Sequence, residues 1–359
     1  MLNWLLASAL ALQANAIPPL PVVAEPPPPP GQVLAVPDEL RSMVQRQVVA
    51  PSGNSRKRRL DLLLDFMFEA DGLGMQYQSD ASSTVAESFR TRKANCLAFT
   101  LLTVALAREA GLTAYGQEID RVLSWELAGN VVLQNTHTNA GVAIDGAGFV
   151  VDVASDELLP ITPPRRIDDR RLLALYYSNN AMQWLVEGQP QRASAWMDFA
   201  LRQGGDPLLW NNAGVLRLRM DDPAGAERLF LRALKQNPRH NAALSNLVAY
   251  YQRSGNTMEA ARWQKRAERV LRRDPVQQFT LGLRSEQAGD YADAARHFRS
   301  AIALDRDEQL FHFGLARAYL HLGRLRLADN ELVRAHDLSR GNDQARYQAK
   351  LNALRRMQR

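Results

Sequence analysis

One cysteine and six histidines in 359 residues leave little from which to build a disulfide framework or a metal centre. The single thiol, Cys96, has no partner for an internal bridge, and the histidines at 240, 297, 312, 321 and 336 are scattered through the far end of the chain. No metal and no cofactor is therefore expected, and no glycine-rich loop of the phosphate-cradling kind is present either. Long hydrophobic runs are also missing. The stretch containing Leu5, Leu6, Leu10 and Leu12 is too short for a membrane span, and Pro18 and Pro19 follow at once. Its flank lacks the positive charge of a typical export signal, but Ala14-Asn15-Ala16 fits a small-residue cleavage site. Residues 1–16 are thus expected to be a signal peptide, placing the chain in the periplasm or otherwise outside the cytoplasm, with membrane association through an uncleaved N-terminus as the alternative. No cysteine follows the apolar run, so a lipoprotein anchor is not expected.

What is present divides the chain. Residues 17–37 include five successive prolines, Pro26 to Pro30, and read as an extended polyproline linker with no core of its own, with a ligand for a proline-recognition site as the alternative. From Asp38 the pattern turns helical: one segment breaks at Pro51-Ser52-Gly53, and a second carries Leu60, Leu63, Phe66 and Met67 after a basic run, Arg56 to Arg59, that reads as a solvated edge. Thr84 can cap a short third helix through Phe89.

The most informative helix begins at Cys96. Leu97, Leu101, Leu102, Val104 and Leu106 recur at helical spacing, Asn95 is a good N-cap, and Gly111 stands where a C-terminal cap belongs. Unpaired N–H groups in a first turn favour a thiolate, and Arg92 and Lys93 add positive charge nearby. Of the histidines only His137 precedes the far helical region. It begins an alternating run that meets Asp145-Gly146, a two-residue hairpin signal pairing Ile144 with Ala147. In that register Asp152 falls opposite Asn139, and His137, Asn139, Gly141, Ala143 and Asp152 share one face. Val142, Ile144, Phe149, Val151 and Val153 share the other, apolar one. His137 and Asp152 become diagonal neighbours. A longer turn would slide the register and make Asp156 the competing partner.

A cysteine at a helix start, followed by histidine and aspartate on adjacent antiparallel strands, resembles the transglutaminase-like branch of the papain-like cysteine enzymes. The resemblance covers about residues 56–160 and implies Cys96 as nucleophile, His137 as base and Asp152 as orienter. Glycine before the cysteine and an aromatic soon after the histidine, common in that family, are replaced by Asn95 and by Asn139 or Ala140. The expected fold class is an α+β papain/transglutaminase-like domain over 38–165, joined through Pro160 to Pro164 to an all-α solenoid.

Past Arg171 a period of 34 residues sets in. Ala226, Ala260, Ala294 and Ala328 keep it, as do Ala233, Ala267, Ala301 and Ala335, and Gly214, Val248, Gly282 and Ala316. Phe230, Gln264, Phe298 and Leu332 are in phase with them. This pattern resembles the tetratricopeptide repeat, in which paired helices pack through small residues. About five repeats are expected over 174–342, then a capping helix over 343–359. From Ala174 onward there are 29 Lys and Arg against 19 Asp and Glu, so the net charge of +6 belongs to the repeats. Arg262, Arg266, Arg269 and Arg273 form a stripe on one second helix, and the basicity reads either as an arginine-rich composition on solvated faces or as a groove for an acidic or extended peptide. The resemblance implies that first helices line a concave groove, with Asn212 and Asn246 holding an extended peptide and Arg219, Arg253 and Arg317 supplying charge. The expected partner is a protein or peptide, acidic or extended. No recognition motif points to nucleic acid.

Two functions follow as expectations. One is an exported transglutaminase-like cysteine acyltransferase or hydrolase acting on protein or peptide amides through Cys96, His137 and Asp152, with the repeats recruiting substrate. The other is a non-catalytic scaffold that uses both parts for protein–protein interaction.

Overall fold

The computed structural model describes residues 26–119, 125–128, 131–134, 137–153, 164–339 and 342–357. The expected signal at 1–16, the competing Asp156 and most of the Pro160–Pro164 linker lie outside them. Short α1 (Pro30–Val33) leads into α2 (Asp38–Val44), a π-helical turn (Gln45–Val49) and α3 (Ala50–Ser52). Gly53, at φ +54°, breaks the chain before α4 (Arg56–Phe68). The basic run at the start of α4 is not simply solvated. Arg59 donates to Ser52 Oγ, Gly53 O and Ala110 O at 2.8–3.0 Å, Arg56 meets Asp145 at 3.3 Å and Lys57 pairs with Asp61. Strand β1 (Gln76–Tyr77) runs parallel to β2 (Lys93–Ala94), with α5 (Val85–Thr91) between them, capped by Thr84 Oγ accepting from Glu87 N at 3.1 Å.

Helix α6 (Cys96–Glu109) is the pillar of this part, buried from Leu97 to Ala107, and it ends at Gly111 with φ +75°. It packs across β3 (Thr113–Ile119) and β6 (His137–Ile144), the inner strands of an antiparallel sheet whose outer strands are β7 (Ala147–Val151) and β8 (Arg165–Ile167). Between β3 and β6 in the chain, β4 (Trp125–Ala128) and β5 (Val131–Gln134) pair antiparallel as a separate two-stranded sheet. The Ile144↔Ala147 pairing sets the register of β6 and β7, and Val142 and Ile144 face the apolar core beside α6.

Five antiparallel helix pairs follow: α7 (Asp169–Val186) with α8 (Pro190–Gln203), α9 (Pro207–Arg219) with α10 (Pro223–Gln236), and α11 (Asn241–Arg253) with α12 (Thr257–Arg272). Then come α13 (Pro275–Gln287) with α14 (Tyr291–Leu304), α15 (Gln309–His321) with α16 (Leu325–Leu338), and α17 (Asn342–Met357) against α16. The eight alanines at the 34-residue period are all buried. One in-phase position departs from the pattern: Gln264 is exposed, and Trp263, 8% exposed, fills the layer instead.

The sheet-bearing part and the first repeats share one core, which runs from Val33 through Leu102 and Ile144 to Tyr177, Trp196 and Leu216. Glu118 of β3, 2% exposed, binds Arg165 at 2.8 Å and Arg171 of α7 at 2.6 Å, and Arg171 also pairs with Asp206, the cap of α9. Arg108 of α6 makes a bidentate pair with Asp169 at 2.7 and 2.8 Å. The proline run also departs from the reading as a free linker. Pro27 is buried and Tyr177 Oη donates to Pro28 O at 2.6 Å, so residues 26–30 are strapped onto the first helix pair.

Candidate functional site

Asn95 closes the N-terminus of α6 by accepting from Ala98 N at 3.0 Å, which fixes where the turn bearing Cys96 begins. Its amide nitrogen donates to Ser82 Oγ at 2.6 Å, tying the turn to the preceding loop. Cys96 is partly buried, and its backbone oxygen accepts from Thr100 Oγ at 2.8 Å. Arg92, one of the two cations expected to bear on the thiol, lies with its guanidinium 4.5 Å from the centroid of the Phe89 ring.

His137, at the first position of β6, is 3% exposed. Its Nε2 lies 2.8 and 2.9 Å from the two Asp152 carboxylate oxygens. Burial opposes a charge on the imidazole, but hydrogen bonding to Asp152 and to Cys96, together with their negative charge, outweighs it and raises the pKa to about 9. The protonated ring is thereby favoured over the neutral one. Its Nδ1 is buried, and with Nε2 on Asp152 it is the ring atom left to act with Cys96. Asn139, which the sequence reading placed beside Asp152 without assigning it a task, donates from Nδ2 to Asp152 Oδ2 at 3.0 Å. The alternation that places His137 on this face places Asn139 there too, and that was the available signal. The arrangement sets a thiol at a helix start near an imidazole whose carboxylate partner accepts from two side chains. Among the described residues no group of three or more His, Cys, Asp or Glu could hold a metal ion.

The five residues expected to line a peptide groove do not form one site. Asn212 Nδ2 donates to Ser178 Oγ at 3.2 Å, and Asn246 Nδ2 donates to Asn211 Oδ1 at 2.9 Å. Both asparagines are buried, so their amides help join successive first helices rather than stand open to a ligand. Strand β5 lies along α9 and α11. Arg317 donates to Glu286 at 2.5 Å and is neutralised there, while Arg219 and Arg253 are exposed near the ends of α9 and α11. The expected arginine stripe does have a geometry. Arg262, Lys265, Arg266 and Arg269 surround a cleft of about 300 Å³ beside Trp263 on α12, while Arg273 falls past the end of that helix as its cap.

Residues 211–277 and 286–354 each match a family model described as tetratricopeptide repeat. These segments are tetratricopeptide repeats. Solved structures similar to the chain include a MamA fragment from Desulfovibrio magneticus RS-1, at 20% identity over 46% of this chain and 94% of that one, with a TM-score of 0.26. A thermophilic tetratricopeptide-repeat protein of Thermus thermophilus shows 22% identity over 50% and 98%, with a TM-score of 0.27. PilF of Pseudomonas aeruginosa shows 18% identity over 50% and 81%, also with a TM-score of 0.27. Likenesses at this level say nothing of function. A comparison with curated proteins finds no match. Tetratricopeptide repeats imply a protein partner, and no helix among the described residues is long and apolar enough to cross a membrane.

Proposed function

We propose that the chain is a protein-binding scaffold whose repeats hold an acidic segment of a partner protein. The observation that carries this reading is the cleft on α12, where four cations at i, i+3, i+4 and i+7 stand around Trp263. Arg262 pairs with Glu259 at 3.2 Å and Arg266 donates to Pro238 O at 3.2 Å. Lys265 and Arg269 have no acidic partner at ion-pair distance among the described residues. Like charges on one helical stripe repel, and an acidic ligand relieves that repulsion. Cross-linked capture by the full chain, by Cys96→Ala and by Lys265→Glu/Arg269→Glu tests the reading. The same partners on the first two and reduced capture on the third are expected. Export through residues 1–16 belongs to the same proposal and is tested by fractionation and by the N-terminus of the mature chain.

One observation favours a second reading, a cysteine enzyme of the transglutaminase-like kind over residues 38–165. It is the His137–Asp152 pair beside Cys96. Both family-model matches lie within the repeats, so this reading rests on the geometry alone. In it, the Cys96 sulfur adds to an amide carbonyl and the carbon–nitrogen bond breaks. His137 gives its Nδ1 proton to the departing amine, and water or a second amine then takes the acyl group from sulfur. Alkylation of Cys96 by iodoacetamide across pH tests it, since a reactivity profile that shifts in His137→Ala is required.

A further inference from the structure

We propose that the aromatic face of the first repeat is a receptor for proline-rich extended peptide, occupied in cis by residues 26–30 and able to accept a proline-rich segment of a partner protein. Tyr176, Tyr177, Trp196 and Phe199 from α7 and α8 form one aromatic cluster, with ring centroids 5.3–6.0 Å apart. The chain's own prolines lie on it. Pro29 has φ −63° and ψ 153°, polyproline II values, and Tyr177 Oη donates to Pro28 O. An aromatic surface with a hydroxyl donor aimed at a prolyl carbonyl is the chemistry by which extended proline-rich segments are recognised, because such segments are stiff before binding and lose little entropy.

The occupant does not use the whole site. Beside Pro26–Pro29 a cavity of about 710 Å³ continues between Trp184, Arg192 and Trp196 on one side and Ser82, Thr84 and Glu87 on the other. Among the described residues the Nε1 atoms of Trp184 and Trp196 and the Nε of Arg192 are buried without an acceptor, and Trp196 as a whole is 6% exposed. All three orphaned groups are donors. Prolyl segments offer carbonyl acceptors and no N–H, so a longer proline-rich ligand complements them, whereas a ligand rich in donors does not. This site is independent of the α12 cleft and of any chemistry at Cys96.

A cis segment competes at an effective concentration in the millimolar range, so loosening the strap should unmask the receptor. The test is fluorescence anisotropy with a labelled peptide copying residues 26–35, added to the full chain, to Pro27→Gly/Pro28→Gly, and to that variant carrying Tyr177→Phe. The loosened chain should bind at least tenfold more tightly than wild type, and loss of the hydroxyl should weaken that binding about three- to tenfold. A Gly/Ser peptide of equal length should not bind. Binding of both peptides alike, or equal affinity of wild type and a loosened chain that circular dichroism shows to be folded, would overturn the proposal. Should the loosened chain unfold, wild type decides: millimolar copying peptide is expected to shift its tryptophan emission, and no shift beyond that given by the Gly/Ser peptide overturns it.

Discussion

A Cβ atom on Gly214 would fall 2.6 Å from Cε1 of Phe230, sixteen residues later on the partner helix of the same pair. The same relationship joins Gly282 to Phe298 at 2.5 Å. Where the first-helix residue is Val248 instead, the second-helix counterpart is the exposed Gln264, and where it is Ala316 the counterpart is the buried Leu332. The ring can lie on the first helix only where that helix has no side chain, so the two positions vary together.

Gly282→Ala therefore overpacks a closed layer despite alanine's better helix propensity. It is expected to lower stability by about 1–3 kcal/mol, read by urea denaturation. The corresponding change at an exposed turn glycine such as Gly289, at φ +79°, acts through backbone strain and meets no neighbouring atom.

The His137–Asp152 pair makes stability depend on pH. The folded pKa of about 9 lies above the ordinary 6.5, so the folded chain binds the proton more tightly than the unfolded one. The contribution, to which Cys96 adds and which is of the order of 3 kcal/mol, is fully present below pH 6.5 and is lost as pH rises through 9. Asp152→Asn is expected to flatten that part of the stability profile, measured by denaturation between pH 6 and 10, because burial then dominates the imidazole.

Glu118 is held at the junction by two arginines. Arg171→Ala leaves a buried carboxylate with Arg165 alone and cuts the bond to Asp206. A loss of about 3 kcal/mol is expected in denaturation. Glu118→Gln/Arg171→Met, which removes both charges, should recover much of it.

The array and the hairpin were legible for the same reason: each rests on a period. Thirty-four residues between buried alanines marks stacked helix pairs, and a period of two with Asp145-Gly146 at its centre sets the β6–β7 register that brings Asp152 to His137. The prolines could be read as a tether or as a ligand, but their receptor was not legible, because five prolines have no periodicity that names one and the tyrosine that binds them lies 149 residues away. Nor was the fate of Asn212 and Asn246. A buried amide bonded to Ser178 or Asn211 and one open to a ligand look alike in sequence.

Charge on α12 gives a prediction about partners. Lys265→Glu/Arg269→Glu removes repulsion within the stripe and should leave thermal stability unchanged or slightly higher, while weakening an acidic partner. Wild-type affinity should fall with added salt, and the variant's should fall less.

The most direct measurement is titration calorimetry of the captured partner against the full chain and against Cys96→Ala. The scaffold account predicts dissociation constants that agree within about twofold. A partner that is retained only when Cys96 is present, or that leaves the titration chemically altered, would contradict it and make the cysteine the centre of the protein's work.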